Sequence, residues 1–210
     1  MAVLKMIRNK VILLFFMMLL ALQVPAQNFE DLQNAFSKSY EFEYEKKYTD
    51  AINELTNVYQ ADSYEINIRL GWLNYLAGLH PGSSTYYKKA IGLKPYSVEA
   101  RLGYTYPLSA LGNWGQVKTQ YFKILEIDEM NTIANYNLGL IFYNAEDFAT
   151  ALKHFEKVVN QYPFDYDGTI MFAWTHFQLG KLREAEVLFK KALLIKPGDE
   201  SALEGLESVK

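Results

Sequence analysis

Three histidines are the side chains of this sequence that titrate closest to neutral pH, and their spacing does not suit joint chemistry. His80 lies beside Pro81, while His154 and His176 lie far along the chain. Two metal ligands on one helix stand a few residues apart, and no two of these histidines do. The sequence contains no cysteine, which excludes disulfides and thiol chemistry.

The segment Asp165-Tyr166-Asp167-Gly168 is similar to the opening of a calcium-binding loop. The later oxygen ligands and the closing glutamate of such a loop are missing, so we expect an ordinary turn here. The sequence also lacks a glycine-rich phosphate loop and a serine nucleophile elbow. We therefore predict a protein that is not an enzyme and that needs neither a cofactor nor a metal.

The elements that must position any binding site follow a repeat of 34 residues. A ten-residue phrase begins at Tyr86, Gln120, His154 and Leu188 and reads YYKKAIGLKP, QYFKILEIDE, HFEKVVNQYP and LFKKALLIKP. A fixed period of this length is typical of stacked two-helix units, none of which buries its apolar face alone. The sequence therefore predicts an all-α solenoid.

Single positions keep the same period. A small residue followed one helical turn later by an aromatic residue lets two helices approach closely and fills the space beside them. The small positions are Ser83, Val117, Ala151 and Ala185, and the aromatic ones are Tyr87, Tyr121, Phe155 and Phe189. A third position holds Gly78, Gly112, Glu146 and Gly180, and a fourth holds Pro95, Glu129, Pro163 and Pro197, which favour a turn before the next unit.

This pattern resembles the tetratricopeptide repeat. The Ala-x-x-x-Phe element of that family reads Ala151 to Phe155 and Ala185 to Phe189. Its Leu-Gly pair reads Leu70-Gly71 and Leu138-Gly139. Four other residues stand where the family has tryptophan, namely Asn67, Arg101, Asn135 and Thr169. The resemblance implies a right-handed α-solenoid of about five helix-turn-helix units with a C-terminal capping helix.

The predicted units lie at about 30–63, 64–97, 98–131, 132–165 and 166–199. The first unit departs from the period, because Ala51 and Leu55 take the small and large positions but Ala51 precedes Ser83 by 32 residues. We predict the capping helix at 200–210, with Asp199 as its N-cap. Its apolar face would consist of Ala202, Leu203, Leu206 and Val209.

The first 26 residues have the features of an export signal. A basic head of Lys5, Arg8 and Lys10 precedes an apolar run from residue 11 to residue 22, and Val24-Pro25-Ala26 suits a signal peptidase. The run is too short for a confident membrane span. We predict cleavage after Ala26 and one array over 27–210, with retention as an anchor as the alternative. The signal resembles those of exported Bacteroidota proteins, which implies the periplasm or cell envelope of a Gram-negative bacterium.

The charge of the chain argues against nucleic acid as a partner. Removing residues 1–26 removes three basic residues and no acidic one, which moves the formal net charge from −3 to −6. An acidic chain binds phosphate backbones poorly. The basic doublets fall in or just before second helices, where a solvated outer face explains them: Lys46-Lys47, Lys88-Lys89 and Lys190-Lys191.

A row of large apolar residues on the first helix of each unit is the candidate binding surface. In the second unit the row is Ile68, Trp72 and Tyr75, whose i, i+4, i+7 spacing places them on one helix face. The equivalents one, two and three periods later are Leu102, Tyr106, Ser109, Tyr136, Leu140, Tyr143, Ile170, Trp174 and Phe177. We call these twelve residues the first-helix row. Its aromatic share is far above the 15% of the whole chain. The family resemblance implies that the row lines the inner, concave side of the array.

Two interpretations of the first-helix row stay open at this stage. The row either packs between neighbouring first helices as core, or it stays accessible to an extended peptide, an apolar helix or a sugar ring. We predict a protein-interaction scaffold or assembly factor, with recognition of cell-wall glycan as the alternative. The predicted contact residues are Ile68, Trp72, Tyr75, Tyr106, Tyr136, Tyr143, Trp174 and Phe177. The row does not resemble the basic clamp with which some family members hold C-termini, since the nearest candidates are Arg69, Asn137 and Asn144. The sequence identifies neither the partner nor the oligomeric state.

Pro107 is the one residue that conflicts with its predicted element, the first helix of the third unit. A proline inside a helix removes one backbone hydrogen bond and costs about 3 kcal/mol. Gly103, four residues earlier, reduces the clash with the proline ring. We expect a kinked helix at this position.

Overall fold

The computed structural model describes residues 29–210, which form eleven α-helices and no strand. The described part of α1 covers residues 29–44. The others are α2 (Tyr48–Asn57), α3 (Tyr64–Leu76), α4 (His80–Leu93), α5 (Val98–Ala110), α6 (Trp114–Ile127), α7 (Thr132–Asn144), α8 (Phe148–Gln161), α9 (Tyr166–Gln178), α10 (Leu182–Ile195) and α11 (Glu200–Ser208). The predicted export signal, residues 1–26, lies outside the described residues. The chain divides into two compact units, an N-terminal unit that ends at Lys94 and a C-terminal unit that begins at Pro95. Units that carry an ordinal number are the single repeats.

The helices follow the 34-residue period to the residue. First helices begin at residues 64, 98, 132 and 166, and second helices begin at residues 80, 114, 148 and 182. Each of these first helices has 13 residues and each second helix has 14. The all-α solenoid fold predicted from the repeat is confirmed.

The core of each unit consists of the small and aromatic positions that the period picked out. In the N-terminal unit Ala51, Leu55 and Ser83 are fully buried, and Tyr87 is 3% exposed. In the C-terminal unit the equivalent small and aromatic residues are also buried, namely Val117, Tyr121, Ala151, Phe155, Ala185 and Phe189. These side chains fill the space between the two helices of a pair, so a change of volume at any of them would disturb the packing.

Glycine on a first helix makes room for the aromatic residue of its second helix. A Cβ atom placed on Gly139 would lie 2.6 Å from the ring of Phe155, which is closer than real Cβ contacts. The ring therefore lies directly on the backbone of α7. This contact explains why the Leu-Gly pair and the Ala-x-x-x-Phe element occur together in the fourth unit.

A series of polar residues begins the first helices. Their side-chain oxygen accepts a hydrogen bond from the backbone N–H three residues later, which satisfies a donor that the helix leaves unpaired. The series is Ser63, Ser97, Asn131, Asp165 and Asp199. Asp165 accepts from the N–H of Gly168 at 2.7 Å, so the segment that is similar to a calcium loop is a helix cap. Of this series, the sequence had indicated Asp199 alone.

The residues that replace the family's tryptophan hold the loop that precedes their own helix. In the N-terminal unit, Asn67 is fully buried and its amide donates to the carbonyl of Ala61 at 3.1 Å. In the C-terminal unit, Arg101 donates to the carbonyl of Pro95 at 2.8 Å, and the Asn135 amide donates to that of Glu129 at 3.0 Å. Hydrogen bonds thus fix these loops where an indole would fix them by packing.

The junction between the two helices of a unit requires a left-handed residue. Gly112 and Gly180 have φ angles of 69° and 70°, a region that glycine adopts without steric cost. Glu146 occupies the same position in the fourth unit with a φ of 59°. A side chain in this region costs roughly 1–2 kcal/mol, so the fourth unit carries local strain.

The departure of the first unit from the period lies after Leu55. Helix α2 begins 32 residues before α4, but it has 10 residues, whereas α4 has 14. The following loop, residues 58–63, is longer than the four-residue loop 128–131 in the C-terminal unit. A helix shorter by one turn and a loop longer by two residues give the net loss of two residues.

Pro107 lies inside α5 and is buried. The helix runs on to Ala110 and keeps the 13-residue length of the other first helices. Gly103, one turn earlier, is buried as well. The proline therefore changes neither the ends of α5 nor the period.

The capping helix α11 begins at residue 200, one period after α9. Ala202 and Gly205 are buried, and Leu206 and Val209 pack against the core of the last pair. Leu203 is 46% exposed, so the expectation that it belongs to the sealed face is wrong.

Candidate functional site

The first-helix row lies on α3 in the N-terminal unit and on α5, α7 and α9 in the C-terminal unit. Seven of the eight predicted contact residues are half-buried, and they are Ile68, Trp72, Tyr75, Tyr136, Tyr143, Trp174 and Phe177. Tyr106 is the exposed one, at 48%. The row is therefore partly packed in both units, and its contacts differ from residue to residue.

In the N-terminal unit, helix α1 holds the tryptophan of the row. The indole N–H of Trp72 donates to a carboxylate oxygen of Glu43 at 2.7 Å. The ring of Tyr75 lies 5.7 Å from the ring of Trp72 and 5.7 Å from that of His80. This part of the row therefore serves packing between α1, α3 and the start of α4.

Arg69 lies beside the row and is turned towards α1. Its guanidinium forms an ion pair with Glu43, its Nε donates to the hydroxyl of Ser39 at 3.1 Å, and its Cζ lies 3.8 Å from the centre of the Tyr40 ring. The residue is only 6% exposed. A buried ion pair of this kind is costly to break, so Arg69 is not available as part of a basic clamp.

At the other end of the chain, helix α11 holds the second tryptophan of the row. The indole N–H of Trp174 donates to the hydroxyl of Ser201 at 2.9 Å. The ring packs edge-on against Phe189 at 4.9 Å and against Phe177 at 5.6 Å. Trp174 thus joins three helices of the C-terminal unit, which is the packing role that the first interpretation predicts.

The tyrosines of the C-terminal unit have different surroundings. Tyr136 meets Phe155 edge-on at 5.9 Å, and Tyr143 meets Phe148 at 5.2 Å. Burial raises the pKa of Tyr136, and the nearby carboxylates of Asp167 and Asp165 raise it further. The side chain of Tyr136 therefore lies near two carboxylates, those of Asp165 and Asp167.

A hollow of about 200 Å³ opens beside Tyr136, between α7 and the start of α9. Ile133 and Val158 contribute its aliphatic wall, and Asp165 and Asp167 contribute its carboxylates. The structure thus adds Ile133, Asp165 and Asp167 to the candidate site, and sequence analysis missed all three. The repeat period could have pointed to two of them. Ile133 and Asp167 occupy one position of the 34-residue period, three residues before the first member of the row on each helix.

His154 on α8 and His176 on α9 pack among neighbouring side chains. Nδ1 of His154 lies 3.0 Å from the amide oxygen of Asn135, and its ring stacks on Phe142 at 5.7 Å. His176 is 8% exposed, and the centre of its ring lies 4.5 Å from that of the Phe172 ring. Burial lowers the pKa of both imidazoles, which favours their neutral form.

Residues 29–210 contain no group of three or more histidine, aspartate or glutamate side chains placed to hold a metal ion. Within that same range, no helix combines the length and the apolar character that crossing a membrane requires.

The paired helices, their period and the packed row define a helical-repeat protein. Residues 143–208 match the family model of the tetratricopeptide repeat. This match and the fold confirm the resemblance to the tetratricopeptide repeat that the motifs predict. A search of curated protein sequences found no match.

Several solved structures are similar to this chain. A tetratricopeptide repeat protein from Parabacteroides merdae ATCC 43184 has 17% identity and a TM-score of 0.73, and the alignment covers 86% of this chain and 72% of that one. The MamA protein has 20% identity and a TM-score of 0.68, with 80% and 92% covered. YrrB, described as a TPR protein with an unusual peptide-binding site, has 16% identity and a TM-score of 0.68, with 88% and 96% covered. Similarity at this level of identity shows a shared fold.

Proposed function

We propose that the protein is a non-enzymatic interaction scaffold or assembly factor that binds a segment of a partner protein on its first-helix row. The observation that carries the proposal is the exposure of Tyr106, at 48%, on a row whose tryptophans are packed. Large aromatic side chains supply much of the affinity in protein interfaces. The peptide-binding site named for YrrB, which shares the fold, supports a peptide as the ligand.

The proposed contact surface lies in the C-terminal unit, where Tyr106, Tyr136 and Tyr143 belong to the row. Tyr136 adds a hydroxyl and borders the hollow between α7 and α9. In the N-terminal unit, Ile68, Trp72 and Tyr75 stay predicted contact residues, and Trp174 and Phe177 do so near α11.

We also propose that the protein acts in the bacterial cell envelope after cleavage of residues 1–26. The basic head, the apolar run and the small residues up to Ala26 support export. We expect the intact mass of the native protein to correspond to a chain that begins at Gln27. Recovery of the full 210 residues from a membrane fraction would instead indicate a retained anchor.

Site-specific photocrosslinking in the native cell tests the binding surface. The residue p-benzoylphenylalanine replaces Tyr106 in one variant and Lys190, on second helix α10, in a matched control. We expect one protein to be crosslinked from position 106 and not from position 190, and a synthetic peptide from the crosslinked region to compete for it.

The glycan alternative has a distinct result in the same experiment. An exposed tyrosine ring also suits stacking against a sugar, so soluble cell-wall fragments would then compete where the peptide does not. Crosslinks from position 190 alone would place the binding surface on the second helices and would contradict the proposal.

A further inference from the structure

We propose that the hollow beside Tyr136 receives a lysine or arginine side chain of the partner segment. This inference rests on the proposed function, because it specifies the chemistry of one part of the same surface. It commits to a cationic side chain with a long aliphatic stem, carried by a peptide in extended conformation.

The shape of the hollow suits such a stem. It has a volume of about 200 Å³, and its wall is formed by Ile133, Val158 and the ring of Tyr136. Lysine and arginine bury their methylene groups on apolar surface while their charged ends stay near polar partners. The apolar wall would cover the stem and leave the charged end at the rim.

The charge of the rim suits a cation. Asp165 and Asp167 both border the hollow, and none of the lysines and arginines of residues 29–210 lines it. One carboxylate oxygen of Asp165 accepts the capping bond from Gly168, and the side chain of Asp167 stands exposed in the first turn of α9. Lys196 pairs with Asp199 at 2.8 Å, and this pairing raises the pKa of Lys196 more than the charge of Asp167 does. The carboxylates thus favour a positive group from outside the chain.

The repeat does not require these residues. The position of Asp165 holds Ser97 and Asn131 in the preceding units of the C-terminal part, and either residue caps its helix. The position of Asp167 holds Glu99 and Ile133. Two acidic residues coincide at these positions only at the start of α9 among the first helices α5, α7, α9 and α11. Asp165 caps that helix and Asp167 suits its first turn, and in α9 both also border the hollow.

Large apolar side chains lie exposed around the hollow. Ile133 is 53% exposed, Tyr162 53% and Phe164 72%. A second hollow of about 420 Å³, lined by Tyr162 and Phe164, shares Asp165 with the first. Exposed apolar residues grouped in this way are typical of contact surfaces, and they predict an apolar residue next to the cationic one in the bound segment.

A pair of capped peptides separates charge from shape. Acetyl-Ala-Arg-Phe-amide carries the proposed side chain, and its citrulline analogue has the same length without the charge. Titration of the full exported chain, followed by the methyl NMR signals of Ile133 and Val158, measures binding at the hollow. We expect the arginine peptide to shift both signals and to bind at least about fivefold more tightly than the citrulline peptide.

The variant Asp167→Asn removes one charge from the rim and leaves the cap at Asp165 in place. We expect it to weaken the arginine peptide about fivefold and to leave the citrulline peptide unchanged. Glu204→Gln is the matched control, because it removes the same charge from α11, outside the hollow. We expect this control to bind both peptides as the unaltered chain does.

Three outcomes would overturn the inference. They are equal affinity for the two peptides, equal loss in the two variants, and the absence of any shift at Ile133 and Val158. If photocrosslinking from position 106 succeeds in any of these cases, the result supports the proposed binding surface and rejects only its specificity for a cationic side chain. If the arginine peptide binds as expected and no crosslinks form, the result supports the cationic site in the hollow and rejects the proposed scaffold function.

Discussion

Trp72, Tyr106 and Trp174 occupy equivalent positions of the first-helix row in different repeats, yet their surroundings differ. Trp72 and Trp174 each donate the indole N–H to a neighbouring first helix, to Glu43 and to Ser201. Tyr106 stands at the same position of α5 with 48% of its surface exposed. One repeat position therefore serves packing in two units and presents a side chain in a third. The packing interpretation therefore holds for the two tryptophans, and binding by the row stays a proposal that rests on Tyr106.

Replacing the packed tryptophan of the C-terminal unit should have the largest effect. Trp174→Ala removes a ring that packs against Phe189 and Phe177, and we expect a loss of about 3 kcal/mol in the free energy of unfolding. Urea denaturation measures this loss, and Tyr106→Ala in the same assay should lose less than about 1 kcal/mol. Equal losses would remove the distinction between packed and exposed members of the row.

The converse effect should appear in binding. We expect Tyr106→Ala to weaken capture of the crosslinked partner by about 2 kcal/mol while the protein stays folded. Isothermal titration with the partner peptide measures this change. Lys190→Ala on α10 is the control and should leave the affinity unchanged within about 0.5 kcal/mol. Full affinity of a folded Tyr106→Ala protein would move the binding surface away from α5.

A smaller change tests the hydrogen bond of Trp174 by itself. Ser201→Ala removes the acceptor at 2.9 Å and leaves the ring contacts intact. We expect a loss of about 1 kcal/mol, since the indole N–H is left without its partner. The combination of Ser201→Ala with Trp174→Phe should cost no more than Trp174→Phe alone. An additive loss in the double variant would mean that the serine stabilises α11 in another way.

The smallest expected effect is a gain in stability away from the row. Glu146 holds a left-handed conformation that Gly112 and Gly180 hold in the other units. Glu146→Gly relieves the side-chain strain but loosens the unfolded chain, so we expect a net gain of about 0.5 kcal/mol. Gly112→Ala should have the opposite sign in the same denaturation assay, and two changes of one sign would contradict this account of the junction.

Much of the fold could be predicted because helix pairing repeats locally. The period placed the small and aromatic core positions, and residues such as Ala151 and Phe155 are fully buried. The shortened α2 could not be placed, since a deficit of two residues between Ala51 and Ser83 is compatible with any point in that interval. Its location depends on how the loop 58–63 packs, which the period does not contain.

Less of the candidate site could be predicted, because its contacts run between helices far apart in sequence. Glu43 lies 29 residues before Trp72, and Ser201 lies 27 residues after Trp174. Neither separation is a multiple of the repeat, so no periodic pattern points to these pairs. The 48% exposure of Tyr106 depends on the side chains that surround it in the fold, and the repeat period does not specify them.

The hydrogen bonds that hold the loops before the first helices have a consequence for how this sequence can diverge. Asn67, Arg101 and Asn135 donate to main-chain carbonyls, and the residues that own these carbonyls are Ala61, Pro95 and Glu129. A hydrogen bond to a main-chain carbonyl does not depend on the side chain of the residue that carries it. Mutations at these loop positions therefore leave the hydrogen bond in place. The loops are therefore free to accumulate substitutions while the helices keep their places. Sequence similarity at these edges can fade long before the architecture does.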